Sequence, residues 1–361
     1  MADTPTQNFG SLPDTLTFGP FNSTGEVTVH LVNLVEGCPP YVENIGVPFV
    51  CAGEGYGSIT IGDDTSDVFV YATDGYFSLR STDDGSIQTF DAGYALISIG
   101  GQYCLYASDD SGTPSGELTN LTFESGGFSD MSIGDLPLEE LVLLGPSDIT
   151  DIPDISENAE LKGIMFGGLS NLESIPSMSA NAALEVYNLS TLPLITEVPS
   201  LDTNTALTTL FITLLELVES LPSLAANINL TNVRIQSCPL LTLLPSLSTQ
   251  AGLTTAKFLN LPSCDTLPDF APTAQVEISV WTYPGTSSSQ KWTNLKNVGV
   301  LPRIKGTHND FISCSLTQTA VDALYNACDP SFPNGKMDTS GGTSPGPSAA
   351  SATNRAACVS N

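Results

Sequence analysis

The chain has 361 residues, and that length suggests two or three domains rather than one. Its 10 Lys and Arg stand against 39 Asp and Glu, a net charge of −29 that repels nucleic acid and anionic membrane alike. Apolar residues at 41% are enough to build cores, and no run approaches the ~18 apolar residues of a membrane-spanning helix.

Charge divides the chain. Residues 1–135 hold 19 acids and one base, 136–270 hold 15 acids and three bases, and 271–361 hold five acids and six bases. The opening MADTPTQNFG lacks the basic and apolar segments of a secretion signal, so none is expected. Eight cysteines show no CxxC spacing and there are only two histidines, which argues against zinc. The even count permits disulfides, but without a signal peptide buried thiols are the favoured expectation.

The N-terminal part reads as β. Alternating runs such as EVTVHLVNL, GSITIG, DVFVYAT, YFSLRST, SIQTFDA, YALISIG and YCLYAS are broken by GDDTSD, ATDGY and STDDGS. Period-two runs of β-branched and aromatic residues with frequent turns predict an antiparallel sandwich over about residues 10–128. The Asp-rich turns offer calcium candidates at Asp63, Asp64 and Asp67, with Asp83, Asp84, Asp109 and Asp110 in two others. Calcium needs six to eight converging oxygens, and Asp also suits turns by bonding the local backbone. The turn role is the stronger expectation.

The middle of the chain repeats. An apolar residue followed by proline ends at Pro153, Pro176, Pro199, Pro222, Pro245 and Pro268, at intervals of 23 residues. Leu161, Leu184, Leu207, Leu230 and Leu253 stand eight residues after successive prolines. Ile164, Tyr187, Leu210, Val233 and Ala256 follow three later, then Phe166, Leu189, Ile212, Ile235 and Phe258 two after those. A gapless period of this length predicts a solenoid in which each unit contributes one short strand to a parallel sheet. An Asn column recurs at Asn158, Asn181, Asn204 and Asn227, continued by Gln250 and Thr273. It is either a buried ladder bonding the backbone at each rung or a row of solvated loop residues.

This LxxLxL pattern resembles a leucine-rich repeat array over about residues 138–305. The resemblance departs from the family where Asn or Cys usually follows the strand: Leu169, Leu192, Leu215, Cys238 and Leu261 occupy that column. It implies a concave sheet whose outward residues bind partners. The central outward column then runs Met165, Asn188, Phe211, Arg234 and Lys257. Arg234 and Lys257 fall on adjacent rungs, ~4.8 Å apart, where like charges cost energy. The offset is either local acid, Glu185 and Glu277, or a ligand. The ligand reading has an acidic or glycan partner gripped by both bases, Phe211 as platform, and Asn232, Thr209 and Gln236 as hydrogen-bonding neighbours.

Residues 315–328, SLTQTAVDALYNAC, predict a helix capped by Ser315 or Thr317 with Ala320, Leu324 and Cys328 on one face. Residues 348–361 read as a second helix. This strand–helix alternation resembles the closing repeats of leucine-rich proteins in bacteria and their phages.

Catalysis finds little support. GTSPG at 342–346 matches a nucleophile-elbow pattern, but no histidine follows Ser344 and Pro345 removes an oxyanion donor. Trp281 and Trp292 are expected in core or cap packing rather than sugar stacking.

The expected architecture is mainly β with α in the C-terminal part: an acidic attachment sandwich (1–135), a leucine-rich-repeat solenoid with parallel sheet (136–306) and closing strand–helix repeats (307–361). The expected function is a non-enzymatic bacteriophage virion structural protein, a capsid decoration or tail fibre without cofactor. It would bind other virion proteins through its N-terminal domain, form a homo-oligomer and present its repeat surface to a host-surface glycan or protein. The alternative is a bacterial leucine-rich-repeat adhesin at the cell surface or an intracellular protein–protein interaction module; a carbohydrate-active enzyme is third.

Overall fold

A computed structural model describes residues 56–61, 68–82, 86–97, 101–112, 120–126, 128–133, 136–147, 149–152, 154–279, 292, 294–304, 309–311, 314–328, 337–339 and 343–351. They fall into two compact units, one ending at Leu172 and one beginning at Glu173. The calcium candidates Asp63, Asp64 and Asp67 lie outside the described residues, as do Asp83, Asp84, Trp281, both histidines and the strands expected before residue 50.

In the first unit, β1 (Tyr56–Ile61), β2 (Val68–Ser81), β3 (Ile87–Ile97), β4 (Gly101–Ser108), β5 (Asn120–Gly126) and β6 (Phe128–Ser132) form a small antiparallel sheet. Antiparallel β-structure is what the alternation predicted. The expected turn at ATDGY is not one, however. β2 runs through it, and the register against β3 shifts between Ala72 and Tyr76. The extra residues are absorbed as a bulge, which a strand paired on both sides of the defect can carry.

Along β2, Phe77, Ser78, Leu79 and Arg80 are all buried, so both faces of the strand are covered there. Phe77 stacks on Phe90 at 5.1 Å between ring centroids. On the other face Ser78 Oγ donates to Ser108 Oγ at 2.8 Å and lies 2.7 Å from Thr89 Oγ1, so these buried hydroxyls satisfy one another. β5 pairs antiparallel with β2 and parallel with β7 (Glu140–Ser147), which in turn pairs parallel with β8 (Gly163–Gly167). The change from antiparallel to parallel pairing therefore occurs at β5.

The 23-residue repeat forms a parallel β-solenoid of about six turns with a buried Asn ladder. In the second unit, β9 (Val186–Ser190), β10 (Thr209–Thr213), β11 (Asn232–Gln236) and β12 (Thr255–Leu259) pair in register, Val186 with Thr209, Thr209 with Asn232 and Asn232 with Thr255. The interior columns follow the sequence period: Leu184, Leu207, Leu230 and Leu253 are buried, as are Leu192, Leu215, Cys238 and Leu261. Tyr187 is the misfit of the strand column, its hydroxyl buried with no hydrogen-bond partner among the described residues.

The Asn column is the buried ladder. Asn204 Nδ2 donates to the carbonyls of Met178 at 2.9 Å and Asn181 at 2.7 Å. Asn227 repeats this on Leu201 and Asn204, both at 2.8 Å, and Gln250 on Leu224 at 2.6 Å and Asn227 at 3.2 Å. In the first unit Asn158 bonds Ile133 and Leu136 in the same way. Thr273 does not continue the column. It is exposed, and Ala274 takes the buried place, its N–H bonding Ala271 as that of Gln250 bonds Leu247. The last coil is irregular: Thr255 pairs with Glu277, one residue short of the repeat.

A second periodic feature is conformational. Gly145, Gly168, Thr191, Leu214, Ser237 and Asn260, spaced by the same repeat, all have positive φ, between 52° and 87°. The chain turns left-handed as it leaves each strand, and the N–H there bonds onward: Thr191 to Thr213 and Leu214 to Gln236. Glycine does this without strain, whereas a β-branched or bulky residue pays ~1–2 kcal/mol.

Toward the C-terminus, β13 (Thr266–Leu267) pairs with β15 (Asn297–Val298), and β14 (Gln275–Ser279) pairs with β12 and β16 (Arg303–Ile304). β17 (Asn309–Asp310) pairs with β18 (Met337–Asp338). Trp292 is buried, donates Nε1–H to the Cys264 carbonyl at 2.6 Å and meets Phe258 edge-on at 6.3 Å. It is a core residue of the last coils.

Helix α1 (Gln318–Ala327) is capped by Thr317, whose hydroxyl accepts the Ala320 N–H at 3.3 Å, and it buries Ala320, Val321, Leu324 and Tyr325. Of the second expected helix only residues up to Ser351 are described, and they form a turn tied to α1. Asp322 Oδ1 accepts from Ser351 Oγ at 2.6 Å, the Ser348 N–H at 2.8 Å and Gln318 Nε2 at 3.2 Å.

The cysteines correct one expectation. Cys104 and Cys328 are disulfide-bonded, while Cys238, Cys264 and Cys314 are free and buried. Sequence spacing carries no signal for which cysteines meet in space.

Leu207→Ala should cost ~2–5 kcal/mol by leaving a cavity, and Asn204→Ala ~1–3 kcal/mol by orphaning the carbonyls it bonds; equilibrium denaturation measures both. Leu214→Gly should stabilise by about 1 kcal/mol, since relief of left-handed strain exceeds the entropy glycine adds to the unfolded chain. Gly168→Ala should do the opposite, because an added Cβ would lie 3.2 Å from the Gly145 backbone nitrogen.

Hydrogen bonds from Ser351 and Ser348 hold Asp322 at about 2, below its usual 3.8. The tether it supplies should be complete above about pH 4 and lost as the pH falls through 2. Hydrogen exchange at Ser348 reads this directly, and Asp322→Asn should remove the dependence.

Candidate functional site

The outward face of the second unit's parallel sheet is built by strand alternation. In β10 and β11 the inward side chains Leu210, Ile212, Val233 and Ile235 are buried, and Thr209, Phe211, Asn232 and Arg234 between them are half-exposed. In-register pairing then sets Asn188 beside Phe211, Phe211 beside Arg234 and Arg234 beside Lys257. One row of four side chains therefore crosses four strands over about 14 Å. Thr209 and Asn232 pair in the next row. Met165 holds the matching position in β8 of the first unit, opposite Val142.

The electrostatics of the row are unusual for so acidic a chain. Neither Arg234 nor Lys257 forms an ion pair with a described residue, so Glu185 and Glu277 do not neutralise them by direct contact. By contrast, Lys162 pairs with Glu139 at 2.8 Å. Arg234 is held by a neutral group: its Nε donates to Gln236 Oε1 at 2.9 Å, and its Nη2 donates to the same oxygen. Gln236 is only 8% exposed, which makes it a firm support for the guanidinium. The side chains of Asn188, Thr209, Asn232 and Lys257 have no hydrogen-bond partner among the described residues.

The hydroxyls just before the strands are already used. Thr208 Oγ1 bonds the Glu185 carbonyl at 3.1 Å, Thr231 that of Thr208 at 3.1 Å and Thr254 that of Thr231 at 2.9 Å. They brace the coils and leave the outward row as the free polar surface.

The other chemistry raised by the sequence resolves into structure. Asp109 Oδ1 accepts the N–H of Ser111 at 2.9 Å and its hydroxyl at 2.6 Å, closing its own turn. Ser344 Oγ donates to the Cys314 carbonyl at 2.8 Å and accepts the Leu316 N–H at 3.1 Å, so the serine of GTSPG staples two segments. Burial pushes the Cys238 thiol up to about 11 and Cys314 to about 12, and raises Cys264 as well. None of the three is a thiolate at neutral pH.

One surface feature was missed. Leu194, Leu217 and Leu240 recur at the repeat interval and are each about two-fifths exposed, and Leu214 and Leu243 are exposed as well. The period shows the column, but an apolar column in a repeat reads as core. Only the fold places this one outside.

No known protein family matches the chain, and no curated protein is similar to it.

Proposed function

We propose that the solenoid is of the leucine-rich-repeat type and that the chain is a non-enzymatic structural protein of a bacteriophage virion, a capsid decoration or tail fibre. Residues 1–135 attach it to other virion proteins as a homo-oligomer, and the solenoid presents its outward sheet face to a host-surface glycan or protein. The observation that carries the binding role is the pair Arg234 and Lys257, adjacent in register and without an ion pair to any described residue, in a chain of net charge −29. Holding two bases side by side costs energy, and an anionic ligand offsets that cost.

The repeat period and the closing strand–helix alternation support the virion setting through their resemblance to bacterial and phage proteins. The disulfides at Cys104 and Cys328 fit a protein that works outside a reducing cytosol. That condition holds equally for the alternative of a bacterial surface adhesin, which would use the same face. Mass spectrometry of purified virions separates the two settings: presence supports the particle role, and absence puts the cellular role in front.

Arg234→Glu combined with Lys257→Glu should weaken binding to the host surface by about 100-fold or more, the loss of two charge-assisted contacts. The melting temperature should change little. Unchanged binding with an intact fold would remove this face as the site.

A further inference from the structure

We infer that Arg234 is a carboxylate receptor pre-oriented by Gln236, and that its ligand is a carboxylate-bearing saccharide seated against Phe211. This rests on the reading of the outward face as the binding surface and names what that face takes.

A guanidinium donates along two edges, Nε with one terminal nitrogen and the two terminal nitrogens together. Gln236 Oε1 receives Nε and Nη2, closing the first edge. The second edge has no partner among the described residues. A planar fork with one edge anchored and the other open matches the two oxygens of a carboxylate. The anchor matters because it is an amide. A glutamate in its place would fix the geometry equally well and cancel the charge. Here orientation is supplied and the positive charge is kept.

The neighbours point to sugar rather than peptide. Phe211, half-exposed and one strand away, supplies an aromatic ring of the kind that stacks on the C–H side of a pyranose. Around it stand single-point hydrogen-bonding groups suited to hydroxyls: Asn188, Thr209 and Asn232, all without described partners. An extended peptide gains affinity by pairing with an open strand edge. β10, β11 and β12 are each paired on both sides, so this surface has no backbone edge to give. Lys257, on the far side of Arg234, is a point charge that strengthens attraction without directing it.

The test is full-length protein on an array of uronate- and sialate-bearing oligosaccharides beside their neutral and sulfated counterparts. Retention confined to the carboxylated sugars is expected. For the tightest-bound of these, calorimetry on Arg234→Lys, which keeps the charge and loses the fork, should show affinity down about tenfold or more. Gln236→Ala should lose several-fold with the unfolding midpoint held, and Lys257→Ala should lose less than Arg234→Lys.

Failure to retain any carboxylated sugar, equal retention of sulfated ones, equal competition by a poly-glutamate peptide, or Arg234→Lys within twofold of the parent would each overturn the assignment. If the double charge reversal still abolishes host-surface binding in that event, the face stands and only the carboxylate sugar falls. If the double reversal leaves binding intact, both fall.

Discussion

A side-chain amide at the same place in successive coils governs the solenoid. Asn204 and Asn227 each reach back with Nδ2 to two carbonyls of the preceding turn, and Gln250 does so with its longer arm. An interior of leucine and isoleucine is non-directional and tolerates sliding by small amounts, whereas a buried amide accepts only the register that pairs it. The pairing is costly to leave unmade, because the amide oxygens of Asn204, Asn227 and Gln250 are already buried without partners among the described residues. Once the ladder holds the coils at one repeat per turn, every other column is aligned with it.

The alignment has local costs, and the coils meet them in different ways. Where each strand ends the chain turns left-handed. The first unit uses Gly145 and Gly168 there, while Thr191 and Leu214 in the second accept strain for the hydrogen bond their N–H makes to the next coil. At the far end the repeat lapses: Ala274 ends the ladder and the strand step shortens by one residue. Beyond that point, large rings and a helix replace the leucine columns. Trp292 packs on Phe258, and α1 buries its own apolar face and is tied by Asp322 to the turn that follows.

The same registration creates the outward row. Strand alternation turns Phe211, Arg234 and Lys257 out, and pairing sets them side by side. A strongly acidic surface holds counter-ions and repels anions at a distance, so a short basic row whose charges are not consumed by nearby carboxylates is a local reversal of that field. The exposed leucine column of Leu194, Leu217 and Leu240 arises from the same periodicity on another part of each coil.

The period, the buried columns, the Asn ladder, the parallel sheet, the capped helix and the outward row were all legible in the sequence, because each depends on spacing along the chain and spacing survives without coordinates. Tertiary structure alone decided the rest. The Asp74-Gly75 segment became a bulge inside one long strand, since neighbours on both sides held the strand together. Thr273 fell out of the ladder and Ala274 took the buried place, ending it where the strand step shortens by one residue, and no column count carries that change. Cys104 and Cys328 formed disulfides through proximity in space. Arg234 took Gln236 as its support instead of Glu185 or Glu277, because the partner of a long side chain is whichever acceptor its rotamer reaches. Sequence period sets which residues share a face; the three-dimensional path of each coil sets which atoms on that face meet.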